Sequence, residues 1–93
     1  MVVGILQVQL AIRHAHSLKD KRRVIKSLRD RIRNRFNVSV AETADQDRYQ
    51  RAVLGVALAA TDGRFADEVL AKVVNLVRAT PEAELIDYEI EIL

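Results

Sequence analysis

The alternation of two hydrophobic periods along the chain leaves few folds open. Over residues 2–12, Leu6, Val8, Leu10 and Ile12 alternate with Gln7, Gln9 and Ala11, the period of two that marks a strand with one buried face. From Leu18 to about Asn34 the period lengthens. Leu18, Val24, Ile25, Leu28 and Ile32 fall on one side of a helix, and Ser17 before it, with Asp20 three residues on, forms a variant of the capping box. The short period returns twice. Phe36, Val38 and Val40 alternate with Asn37, Ser39 and Ala41; after a polar turn at 44–47, Leu54, Val56 and Leu58 line one face of a strand over 51–60. Thr61-Asp62-Gly63 breaks this strand and supplies an N-cap. A second amphipathic helix over 64–79 then turns Phe65, Val69, Leu70, Val73, Leu76 and Val77 inward, and Pro81 disfavours helix at Thr80. A last strand over 84–93 alternates Ile86, Tyr88, Ile90 and Ile92 with Asp87, Glu89 and Glu91.

The order is therefore β-α-β-β-α-β, two split βαβ units in tandem, which is the pattern of the α+β ferredoxin-like sandwich. Two helices should cover one face of a four-stranded antiparallel sheet of order 4-1-3-2, with the first and third strands central. Ninety-three residues, 49% of them hydrophobic, suffice for one such domain over 1–93 and exclude a disordered chain. The absence of cysteine removes disulfides, a thiolate nucleophile and Cys-based zinc. The run from Val2 to Leu6 is far shorter than the roughly 20 residues of a membrane span, and no signal-peptide pattern is visible, so the expectation is a cytoplasmic protein.

Three blocks carry a family likeness: HSLKDKRRVIKSLRDRIRNRFNVSVAE beginning at His16, QDRYQRAVLGVA over 46–57, and ELIDYEIEIL at the end. Together they resemble the YlxP-like family of small bacterial proteins, across nearly the whole chain. The resemblance implies a ferredoxin-like fold and a lysine at position 21, and it implies no established activity. Members of that family are often encoded near transcription-termination and translation-initiation factors and ribosome-binding factor A, a setting that implies an RNA or ribosome connection.

The formal charge of +2 hides an uneven distribution. Residues 1–40 carry ten basic side chains against two acidic, a net +8, while residues 41–93 carry five against eleven, a net −6. Within the first helix Arg22, Lys26, Arg29 and Arg33 sit at i, i+4, i+7 and i+11, a stripe along about 16 Å of axis, and Lys19 and Arg23 widen it. Such a stripe contacts several phosphates of a nucleic acid without reading sequence. The plainer reading is a solvated face whose arginines pair locally. Lys21 lies on the apolar side of the same helix, where it either snorkels past the core edge or is held by an acidic partner; snorkelling is the simpler expectation, and a catalytic lysine is the alternative.

Other candidates are weaker. Arg13 and Ser17 stand beside the N–H groups that open the first helix, where an anion could lodge. His14 and His16 lack a third ligand, so no metal is expected, nor any cofactor. Asp87, Glu89 and Glu91 solvate a strand and discourage edge-to-edge pairing, or meet the basic surface of a second copy. On the sheet face away from the helices, the small residues Gly55, Ala57 and Ala59 would let another copy approach, and no aromatic lies there to stack bases as an RNA-recognition motif requires. No paired His–carboxylate occurs, and the glycine-rich, arginine-bearing loop of acylphosphatases is missing after the first strand, so a catalyst is not expected. The leading expectation is a non-enzymatic RNA- or ribosome-associated module using the basic helix; the alternative is a homo-oligomeric scaffold associating through the open sheet.

Overall fold

The computed structural model describes residues 1–93. Its elements are β1 (Val2–Ala11), α1 (Leu18–Arg35), β2 (Ser39–Ala44), β3 (Arg51–Ala60), α2 (Gly63–Arg78) and β4 (Glu84–Ile92). The four strands form one antiparallel sheet of order β2-β3-β1-β4, the expected order read from its other edge. The long central strands β1 and β3 pair over ten residues, from Val2 opposite Ala60 to Ala11 opposite Arg51. One face of the sheet is covered by helices. Leu6, Val8 and Leu10 of β1 and Leu54 and Val56 of β3 are essentially sealed there against Ile25, Leu28 and Ile32 of α1 and Leu70, Val73 and Val77 of α2.

Both helix starts follow their sequence signals. The Ser17 hydroxyl accepts from the Asp20 N–H at 3.1 Å, and the Asp20 carboxylate accepts from the His16 N–H at 3.0 Å. Asp62 accepts from the Phe65 N–H at 2.9 Å. Each cap satisfies donors that the first turn leaves free. Gly4 of β1 lies under α2, where an added Cβ would stand 3.0 Å from Leu70 and 3.1 Å from Ala66, so the missing side chain sets how closely α2 can approach.

The structure corrects three local expectations. β2 begins at Ser39 rather than at Phe36, which instead caps α1 by giving its N–H to the Ile32 carbonyl at 2.9 Å. Phe65 is not inward: it lies at the start of α2 and is 52% exposed, because its neighbour Ala66 takes the sheet-facing position over Gly4 and leaves Phe65 about 100° round the helix. The even alternation of β4 is broken by a bulge. Leu10 pairs with Leu85, but Gln9 pairs with Asp87, so Ile86 is the extra residue, and Leu85 replaces it on the helix side. A second bulge makes Thr43 the extra residue of β2. No helix is long and apolar enough to cross a membrane.

Candidate nucleic-acid interface

α1 packs over β2 at one edge of the sheet, and α2 packs over β1 and β4 at the other. The basic stripe therefore lies at one side of the molecule and the acidic strand at the opposite side. Lys21, Ile25, Leu28 and Ile32 form the buried line of α1. Lys19, Arg22, Arg23 and Lys26 fall on its exposed N-terminal half. Lys19, Arg22 and Arg23 enter no ion pair, and Lys26 meets Asp30 one turn on at 3.1 Å. An exposed pair of this kind is worth well under about 1 kcal/mol and yields readily to a competing anion.

The other two members of the stripe are less free. Arg29 is half-buried, with Nε enclosed and lacking a hydrogen-bond partner. Arg33 donates from Nη2 to the Val40 carbonyl at 2.8 Å, tying the helix to edge strand β2. The open ground for phosphates is thus the first half of α1, with Arg29 at its margin.

Lys21 does not snorkel. It is 1% exposed, and its Nζ donates to the Asp45 carbonyl at 2.5 Å and stands 2.6 Å from Glu42 Oε2. Glu42 pairs with Leu54 across the sheet and so faces the helices. Asp45, with φ of 59°, adopts the left-handed conformation that asparagine and aspartate tolerate best. A buried ammonium needs both a counter-charge and hydrogen bonds. The Thr43 bulge and the turn at Asp45 supply them by bringing a carboxylate and a carbonyl to one point. The helical period singles out Lys21 but not Glu42, whose only signal is an acidic residue at a helix-facing position of β2.

The weaker candidates have local partners. Arg13 Nε lies 2.5 Å from Glu84 Oε2. This hydrogen bond and the charge beside it hold the Glu84 carboxyl below its ordinary value and raise Arg13. Ser17 is engaged in the cap, whose Asp20 places a negative charge at the helix start. The hollow beside it, about 300 Å³, sets Arg23 against Asp20 and Glu82. His14 and His16 are exposed, and no group of three or more metal-ligating side chains is present. On the open sheet face, an added Cβ at Gly55 would stand 2.8 Å from the Thr43 methyl, so the space over this glycine is already filled from within the chain. Ala57 and Ala59 remain accessible beside it. The groove crossing this face, about 250 Å³, is edged by Glu89 and Glu91, which oppose a polyanion.

Residues 3–90 match the family DUF503, described as a protein of unknown function. The chain is 34% identical over 83 residues to the uncharacterised protein YlxP of Bacillus subtilis (strain 168), covering 89% of this chain and 90% of the relative. Among solved structures it resembles the designed protein LFR1 1 with ferredoxin fold, at TM-score 0.59 and 14% identity over 98% of this chain and 86% of that one. It also resembles the designed protein Foldit4, at TM-score 0.58 and 14% identity over 100% and 97%. At such identities these likenesses concern the fold alone.

Proposed function

This chain belongs to the DUF503 family of proteins of unknown function, so kinship supplies no activity, and we propose from its surface that it is a non-enzymatic RNA-binding module, acting on free RNA or on ribosomal particles in the cytoplasm. The observation that carries this reading is the exposed cationic row Lys19, Arg22, Arg23 and Lys26, three of whose four members enter no ion pair within the chain. The caps and core already hold α1 in place, so this row does little for folding. Its value is to a polyanion, which it would meet through phosphates and without base stacking. The acidic groove on the open sheet turns RNA toward the helix.

The test is binding of labelled single-stranded RNA and of purified ribosomal particles to the full chain across a salt series. Three to four phosphate contacts give a slope of log K against log salt of about −2 to −3. A triple variant, Arg22→Glu, Arg23→Glu and Lys26→Glu, should lose this binding while melting like the parent, since all three side chains are exposed. Binding unchanged by the triple variant would overturn the reading.

A further inference from the structure

The far side of the sheet carries a surface that the RNA reading does not use. β4 is an edge strand of nine residues with β1 as its sole strand neighbour. Val3 and Leu93 exchange both backbone hydrogen bonds, at 3.0 and 2.8 Å. In an antiparallel ladder such pairs recur at every second residue. Glu91, Glu89 and Asp87 therefore turn their backbone groups inward to Ile5, Gln7 and Gln9, and Ile92, Ile90 and Tyr88 turn theirs outward. One outward donor is occupied: the Asp87 carboxylate accepts from the Tyr88 N–H at 2.8 Å. The outward groups of Ile90 and Ile92 have no partner in the chain.

The two rows of side chains flanking this open edge differ sharply. On the helix side Tyr88 and Ile92 are 41% and 37% exposed, and Ile92 abuts Gly63 in the turn that also carries the exposed Phe65. On the other side stand Asp87, Glu89 and Glu91, none of them in an ion pair. We propose that the Tyr88–Ile92 edge of β4 is a docking site for an extended segment of another protein that alternates basic with apolar residues, added as a fifth strand. Backbone bonds to Ile90 and Ile92 would supply affinity, and the alternation would set register, with Lys or Arg over the carboxylates and apolar side chains over Ile92 and Phe65.

The charge row also selects against a second copy. Antiparallel pairing of β4 with another β4 in which Ile90 takes part sets the acidic row against itself. Centred on Ile90, for example, it places Glu89 opposite Glu91. Like charges directly opposite are destabilising, and no strand of this chain alternates basic with apolar residues.

The experiment is titration of the full chain with a fluorescent peptide of alternating lysine and valine, about ten residues long, read by anisotropy and by amide chemical shifts. The expected result is saturable binding with shifts centred on Ile90 and Ile92. A glutamate–valine peptide and the Glu89→Lys, Glu91→Lys variant should each weaken it roughly tenfold or more, the sum of two or three cross-strand charge pairs. N-methylation of the peptide at the residues facing Ile90 should abolish it without any change to the protein. The proposal is overturned by equal binding of the N-methylated peptide, by shifts confined to other surfaces, or by self-association through β4 at the expense of peptide. The Arg22, Arg23, Lys26 triple variant leaves this site intact, so failure here and failure of RNA binding are separable.

Discussion

The two helices are attached to one sheet by different physics. α2 sits on β1 and β4 through Ala66, Leu70, Val73 and Val77, all sealed, with Gly4 beneath to admit it. α1 sits near the short edge strand β2 and buries three large apolar side chains and one lysine. Its hold is partly polar: Lys21 on Glu42 and the Asp45 carbonyl at one end, and Arg33 on the Val40 carbonyl further along. Apolar packing is non-directional and tolerates small shifts, whereas a buried ion pair is worth little unless its geometry is kept. The α1–β2 half is therefore specified by a few atoms, and the α2–β1–β4 half by area.

This contrast can be broken most severely at Lys21. Lys21→Ala leaves Glu42 largely enclosed without its counter-charge, and should cost about 3–5 kcal/mol in urea unfolding. The double variant Lys21→Met, Glu42→Leu should recover most of that loss, because it removes both charges and fills the space. A small cost for the single variant would mean that the pair is not the anchor. On the apolar side, Gly4→Val crowds Leu70 and Ala66 and should cost roughly 1–3 kcal/mol, with amide shifts in α2 rather than α1. Arg33→Ala removes a charged donor from a backbone carbonyl at the edge of β2 and should cost about 1 kcal/mol. Its local sign is faster amide exchange in β2 while β1 and β3 stay protected.

The smallest effect lies at Arg13 and Glu84, which join the end of β1 to the start of β4 in full solvent. The Arg13 guanidinium lowers the Glu84 carboxyl, so the pair's contribution is complete above the ordinary glutamate value of 4.5 and fades as pH falls through the lowered one. Above that value, where the pair is formed, Glu84→Gln should lower the melting temperature slightly, and it should converge with the parent in acid, so that its acid limb is flatter. An unaltered acid limb would show that the pair does not contribute to stability in solution.

Much of this was legible in the chain. Six elements, their order and both caps follow from hydrophobic period and from Ser17, Asp20 and Asp62, because burial of one face and satisfaction of free N–H groups are local demands. The cationic row was legible for the same reason: residues three and four apart on a helix must share a side. Which members stay free was not. Arg29 and Arg33 differ from Arg22 and Arg23 only in what the fold sets beside them, and nothing in their spacing reports that β2 passes under the second half of α1. The outward position of Phe65 and the slip at Ile86 were likewise invisible, since an unbroken alternation carries no mark of where a partner strand bulges.

By itself the sequence determined the architecture and the separation of a basic first half from an acidic second half. Only the tertiary structure decided where those charges stand and which of them meet. It placed the basic helix and the acidic strand at opposite edges of the sheet, so only Arg13 with Glu84 and Lys21 with Glu42 pair between the two halves. It also drew Lys21 inward, because the Thr43 bulge and the turn at Asp45 bring two acceptors to one buried point. Periodicity is a property of neighbours along the chain. Pairing of charges depends on residues that meet only when the sheet closes, and so it waits for the fold.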